Sequence, residues 1–223
     1  YLIFAILQQK GLPVLYVDAR EIIKTNSAFS HSEVNFAETN ALINSFFETN
    51  KGKIGLVTGF IASNSKGETT TLGRGGSDYT ASVLGAALGV KEIEIWTDVD
   101  GMMTSDPRKV KSAFTIPSIS YSEAMELTHF GAKVIYPPSL QPAFAKNIPI
   151  RVLNTFNPSF AGTVVSKEPT GSPYIITGIS SIDQLALVNL QGSGMIGVAG
   201  VSAKLFTVLA REKISVVLIS QAS

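Results

Sequence analysis

Residues 70–80 read "TTLGRGGSDYT": glycines at 73, 75 and 76 surround Arg74, and Ser77-Asp78 open an alanine-rich stretch. Glycine lets the backbone take positive φ and approach a ligand closely. Arginine presents a planar fork of five donors that suits carboxylates and phosphates. From Ser77 to Leu88 the pattern is helical, with Ser77 at the N-cap position and Gly89 at the C-cap position. Such a loop-to-helix junction offers free N–H groups and the positive end of a helix dipole to an anion. Arg74 adds a charge-assisted contact to a carboxylate. Asp78, in the first helical turn, suits an ammonium or orients a reacting group. The competing reading is a plain turn with a capping Ser-Asp pair. An arginine flanked by glycines has no packing role, which favours binding. The glycine spacing matches neither the dinucleotide fingerprint nor the phosphate loop that ends in GK[ST].

Outward from this turn, strands alternate with helices. "VLYVDA" (14–19), "IGLVTGFIA" (54–62), "EIEIWTDV" (92–99) and "IPIRVLN" (148–154) read as buried strands. Residues 37–50 carry a helical stripe of Leu42, Ile43, Phe46 and Phe47. "SEAMELTHFGAKVI" reads as two helical pieces broken at Gly131, and 138–146 as a short helix. The order predicts an α/β fold with a parallel or mixed sheet covered on both faces. The chemistry-bearing segments follow strands, where ligands bind in open α/β sheets. At 157–173, "NPSFAGTVVSKEPTGSP" shifts the composition to Pro, Gly, Ser and Thr, a boundary signal. The expected domains are 1–168 and 174–223. In the second, "YIITGISSI" and "LALVNLQGSGM" read as strands, about 201–213 as a helix and "SVVLIS" as a strand, part of a ferredoxin-like split βαβ unit.

The bulk numbers exclude several classes. Of 223 residues, 45% are hydrophobic, enough for a buried core. A formal charge of +1 gives no pull toward nucleic acid or an anionic membrane. Cysteine is absent, so disulfides and thiolate metal sites are excluded, and a cytoplasmic location fits. No apolar run approaches the roughly 20 residues of a membrane span. The opening "YLIFAILQQKG" reads as the end of a helix capped at Gly11 and stopped by Pro13. A chain that begins inside a helix and ends inside a strand is expected to be a fragment.

A second cluster is "WTDVDGMMTSDPR" (96–108). In one reading Thr97 and Asp98 meet a base or ribose and Arg108 meets phosphates. In the other, Asp-Gly and Asp-Pro are turn chemistry. Calcium is disfavoured because the EF-hand register and its terminal Glu are missing. Lys133, in "HFGAKVIYPP", is a phosphate ligand or a solvated surface charge. His31 and His129 lie far apart without a partner motif, which leaves a triad or zinc site unsupported. Trp96 is expected in the core.

"TTTLGRGGSDYTA", "WTDVDGMMTSDPR", "FGAKVIYP" and "NPSFAGTVVS", in this order and spacing, resemble the aspartokinases. The resemblance implies the amino-acid kinase fold, a carbamate-kinase-like three-layer sandwich of which this is the C-terminal part. The tail "LVNLQGSGMIGVAGVSAKLFTVLAREKISVVLISQAS" resembles a partial ACT regulatory module, closest in wording to threonine-sensitive aspartokinases fused to homoserine dehydrogenase. By this resemblance Arg74, Gly75, Gly76 and Ser77 bind L-aspartate, with Arg74 on a carboxylate, and Asp78 is an active-centre residue beside the substrate amine. Thr97 and Asp98 contact adenine and ribose, Arg108, Lys133 and Val134 hold ATP, and Met103 stands where a tyrosine often packs on the nucleotide. Met195, Ile196 and Gln221 are the implied effector contacts. The implied reaction is Mg²⁺-ATP-dependent phosphorylation of aspartate, feedback-regulated by threonine or lysine in a homo-oligomer assembled through ACT modules. Two family features, a Lys-x-Gly-Gly-Thr-Ser motif and a substrate-contacting glutamate, are not in the chain, so this stretch alone is expected to be inactive. Two rivals stand beside the reading. One is another kinase of the same fold, acting on glutamate, acetylglutamate or a nucleotide. The other is a non-catalytic effector-binding and dimerisation module.

Overall fold

The structure is a computed structural model that describes residues 1–129, 134–171, 174–192 and 198–220. It divides into two compact units, Tyr1–Ile182 and Asp183–Ser223. The first unit opens with α1 (Leu2–Gln9), which ends in a Schellman closure: Gly11 N–H donates to Gln8 O and Leu12 N–H to Leu7 O, with Gly11 at positive φ. β1 (Val14–Val17), the short α2 (Ala19–Ile22) and α3 (Phe36–Thr49) follow. α3 starts where Asn35 and Glu38 bond reciprocally, the Asn35 side chain accepting from the Glu38 N–H and donating to its carboxylate. Its Ile43 is buried, with Leu42, Phe46 and Phe47 packed around the same core, as the helical stripe requires.

The run expected as one strand over 54–62 is two. β2 (Ile54–Val57) pairs in parallel with β1, while β3 (Ile61–Ser63) pairs antiparallel with β4 (Thr69–Thr71). The break is at Phe60, a non-glycine residue in left-handed backbone at φ 74. Its N–H donates to Thr80 Oγ1 and its carbonyl accepts from Leu72, so the surrounding chain holds the strained conformation. α4 (Gly76–Leu88) leads to β5 (Ile93–Thr97); β6 (Ser118–Ser120), α5 (Tyr121–His129), α6 (Pro137–Ala145), β7 (Ile150–Asn154) and β8 (Thr163–Ser166) complete the unit. The larger sheet runs β5-β7-β8-β6, with β5/β7 and β6/β8 parallel and β7/β8 antiparallel, a mixed sheet as expected.

Two apolar clusters form the core. One gathers Ile93, Ile119, Tyr121, Leu140, Ile150, Val152 and Val165 around the larger sheet; the other gathers Val17, Ile23, Ile43, Ala62, Leu72 and Val83. α4 serves both, sending Val83 into the second while Ala81 packs on the first. Trp96, expected in the core, is 47% exposed, its indole N–H donating to Glu94. β5 alternates, with Ile93 and Ile95 inward, and Trp96 falls on the outward parity.

Within the stretch read as a boundary, Thr163–Ser166 is a strand between β7 and β6. In the second unit the expected helix is α7 (Val201–Arg211). The described residues of "LALVNLQGSGM" and "SVVLIS", and those of "YIITGISSI" at the end of the first unit, form no strand. Period-two patterning needs a neighbouring ladder to become a strand, and none pairs with these segments among the described residues.

Candidate functional site

The glycine turn sits just beyond the C-terminal end of β2. The N-cap of α4 is Gly75, not Ser77. Gly75 takes φ 66, and a Cβ there would fall 2.5 Å from Tyr136 Cβ, so only glycine fits on both counts. With Gly76 the first helical residue and no side-chain cap, Gly76 N–H donates to Gly73 O, and among the described residues the Ser77 and Asp78 N–H groups remain open for a ligand. The turn is walled by neighbours that lie far away in sequence. Phe60 stands over Gly76, Gly59 against Ser77, and His31 against Gly73.

Arg74 is exposed, and its guanidinium carbon lies 5.7 Å from the ring centroid of Tyr136. That distance is within cation–π range. Among the described residues Arg74 has no hydrogen bond or ion pair. Asp78, half-buried, likewise has no partner there, and burial raises its carboxyl above the ordinary range. A free guanidinium, open helix N–H groups and an unsatisfied carboxylate thus share one turn. That set can clamp a carboxylate and face an ammonium in one small zwitterion.

The second cluster follows β5. Thr97 Oγ1 donates to Asp98 Oδ1 at 3.2 Å, and Thr97 O accepts from Thr155 N–H. Asp100 is pinned by Asn154 and Asn157, whose amides donate to Oδ1 at 2.8 and 3.1 Å. Buried Thr163 anchors the same loop, accepting from Met102 N–H at 2.8 Å and donating to Ile116 O at 2.7 Å. Met103 bridges to Thr115. Arg108 is 86% exposed and forks onto Asp106 through Nε and Nη2. Those bonds pull the Asp106 carboxyl down to about 2.

The structure brings Arg74, Gly75, Gly76, Ser77 and Asp78 together on one turn, and Thr97, Asp98, Met103 and Arg108 on one loop system. Among the described residues no hydrogen bond or ion pair joins the two. Tyr136 links the turn to the segment just after Val134, which packs on the core of the larger sheet. Lys133, Met195, Ile196 and Gln221 lie outside the described residues. Sequence reasoning gave no role to Tyr136, Phe60, Asn154, Asn157 or Thr163. Three of these fall in the quoted stretches "FGAKVIYP" and "NPSFAGTVVS" or in both-ended contact with them: Tyr136, Asn157 and Thr163. The order of those stretches was the available signal.

The profile of the amino acid kinase family matches residues 1–154. The chain belongs to that family. An ACT domain profile matches residues 188–223. The bifunctional aspartokinase/homoserine dehydrogenase of Haemophilus influenzae is 40% identical over 97% of this chain and 26% of its own length. The lysine-sensitive aspartokinase 3 of Escherichia coli is 38% identical over 96% of this chain and 48% of its own. E. coli aspartokinase III, solved in complex with aspartate and ADP, matches with a TM-score of 0.79 at 35% identity, over 99% of this chain and 49% of that one. The chain therefore spans between a quarter and a half of the length of these relatives. The expected fold, a family kinase domain followed by an ACT module, is the one found. No described helix is long and apolar enough to cross a membrane, and no three His, Asp or Glu side chains among the described residues cluster to hold a metal.

Proposed function

We propose that this chain is part of an aspartate kinase, which transfers the γ-phosphoryl group of ATP to the side-chain carboxylate of L-aspartate. The bond between the γ-phosphorus and its bridging oxygen to the β-phosphate breaks, a carboxylate oxygen bonds the phosphorus, and ADP and 4-phospho-L-aspartate leave. The observation that carries the reading is the unpartnered Arg74 beside the open α4 N-terminus, with unpartnered Asp78 in its first turn. Arg74, Gly75, Gly76 and Ser77 bind the substrate carboxylate, and Asp78 faces its ammonium. Thr97 and Asp98 take the adenine and ribose side, Met103 packs on the nucleotide, and Arg108, Lys133 and Val134 line the phosphates. Mg²⁺ enters with ATP as the substrate complex. Phosphoryl transfer of this type rests on positioning and charge neutralisation, of which these groups supply a part, so this stretch alone is expected to be inactive. The complex of E. coli aspartokinase III with aspartate and ADP supports both substrates.

The kinase part is read as residues 1–168 and the ACT part as 174–223, with Met195, Ile196 and Gln221 at the effector. Threonine is the favoured effector, because the tail resembles threonine-sensitive enzymes; homo-oligomerisation through the ACT module and a cytoplasmic location belong to the same reading. Lysine is the alternative, favoured by the E. coli aspartokinase III complex with lysine and aspartate. The test is ADP release by the full-length protein with aspartate, glutamate, acetylglutamate or a nucleoside monophosphate as acceptor, with threonine or lysine added in turn. Turnover is expected with aspartate and inhibition by threonine. Turnover with another acceptor, or none, overturns the reading.

A further inference from the structure

Residues 174–182 form no ladder, yet they are tied to one place. Ile179 N–H donates to Thr104 O at 2.7 Å, and Thr177 Oγ1 donates to Glu123 Oε1 at 2.7 Å. Lys109 Nζ donates to Ser181 Oγ at 3.0 Å. The Tyr174 ring meets Phe114 with centroids 5.7 Å apart. Gly178 lies so close that a Cβ there would stand 3.0 Å from Leu127 and 3.3 Å from Thr104 O.

These anchor points are not scattered. Thr104 N–H donates to Phe114 O, and Phe114 N–H donates to Thr104 Oγ1, so this pair closes the base of the loop that carries Asp106 and Arg108. Residues 174–182 grip that base at Thr104 and at Phe114, and reach Lys109 beside Arg108. Glu123, the anchor on α5, is fixed independently by Ser120, whose N–H and Oγ both donate to Oε2. Together, the Ser120 and Thr177 bonds keep its carboxyl below the ordinary range.

We propose that residues 174–182 are a strap that positions the Met103–Arg108 loop, with Thr177 and Ile179 as its positioning residues. The inference rests on the reading of that loop as the ATP site. The chain runs directly from Ile182 into the second unit. A change in tension on the strap therefore reaches the nucleotide loop through two hydrogen bonds and a ring contact. Lying between two sites is not by itself coupling, so the strap has to be tested as an element that sets affinity.

The experiment uses the full-length protein with Thr177→Val, which keeps the shape and removes the donor to Glu123, and Thr177→Ser, which keeps the donor. Glu123 retains both Ser120 bonds in either variant, so the fold is preserved. Binding of ATP is measured by calorimetry, the aspartate KM by ADP release, and amide exchange at residues 104–109 by mass spectrometry. For Thr177→Val the expected results are an ATP affinity weaker by about 3- to 10-fold, faster exchange at 104–109 and an aspartate KM within about two-fold of wild type. Thr177→Ser is expected to match wild type. Unchanged ATP affinity and exchange in Thr177→Val overturn the strap, as does an equal shift of both substrates together with a lowered Tm, the mark of a merely structural role. Wild-type protein that binds no ATP overturns the nucleotide reading instead. The exchange rates then decide by themselves whether the strap holds the loop.

Discussion

The glycine turn and the loop after β5 both carry an exposed arginine, and they treat it differently. At the turn, Arg74 has only the face of Tyr136, and the groups around it are backbone N–H and an unpartnered carboxylate. On the loop, Arg108 already forks onto Asp106, and the backbone is pinned by Thr163, Asn154 and Asn157. Under the proposed function, the turn is a site whose charge waits for a ligand, and the loop one whose geometry is set before a ligand arrives. The difference indicates where binding energy resides. At the turn it depends on a few atoms, and on the loop it is spread over a network.

Deleting the waiting charge should have the largest effect. Arg74→Ala in the full-length protein is expected to lower kcat/KM for aspartate by roughly 10- to 150-fold, the equivalent of about 1.5–3 kcal/mol for a charge-assisted contact, with the ATP KM little changed. Steady-state kinetics with each substrate varied checks this, and equal losses on both sides would erase the contrast between turn and loop. Next comes the backbone. Gly75→Ala forces a side chain into left-handed backbone and against Tyr136, a cost of about 1–3 kcal/mol. For a chain of this size that is a fall in Tm of about 2–12 °C, read by calorimetry.

Asp78→Asn separates function from stability. Burial raises the folded-state pKa of Asp78, so folding favours its protonated form. The carboxylate destabilises the protein above the folded pKa and ceases to do so below the unfolded one. The variant is expected to lose aspartate turnover yet melt at a higher temperature at pH 7, with the gain shrinking as pH falls through the carboxylate range. A Tm unchanged at every pH would mean that the charge is solvated. The smallest effect is expected at the loop. Asp106→Asn breaks a surface ion pair whose arginine is 86% exposed, and such pairs contribute little to stability. Thermal melting at pH 7 should show no measurable change, and a clear fall would show that the Arg108 fork holds the loop together.

Much of this was legible because the signals are local. Gly89 announces the end of α4 and Gly11 the end of α1, since a cap needs only its own neighbours. The turn at 73–78 and the loop at 97–108 were visible as residue types that chemistry wants after strands. The alternation of β5 is also local: Ile93 and Ile95 face inward, and Trp96, expected in the core, takes the outward parity and lies on the outer face.

What only the tertiary structure decided depends on residues distant along the chain. Phe60 splits the 54–62 run because Thr80 and Leu72 hold its backbone; Gly59 weakens the run locally, but the left-handed turn of a phenylalanine depends on those distant partners. The N-cap of α4 moved from Ser77 to Gly75 because Tyr136 and Phe60 crowd the turn. The Gly- and Pro-rich stretch at 157–173 hides a strand, because β7 and β6 supply partners that composition does not register. The strap at 174–182, patterned like a strand, instead follows Thr104, Phe114 and Glu123. Sequence alone marked candidate residues for the chemistry and the ends of α1 and α4 at Gly11 and Gly89, since those signals follow from short-range sterics and hydrogen bonding. The pairing of strands, the exposure of Trp96 and the neighbours that aim Arg74 and pin Met103 came from long-range packing, which no local window contains.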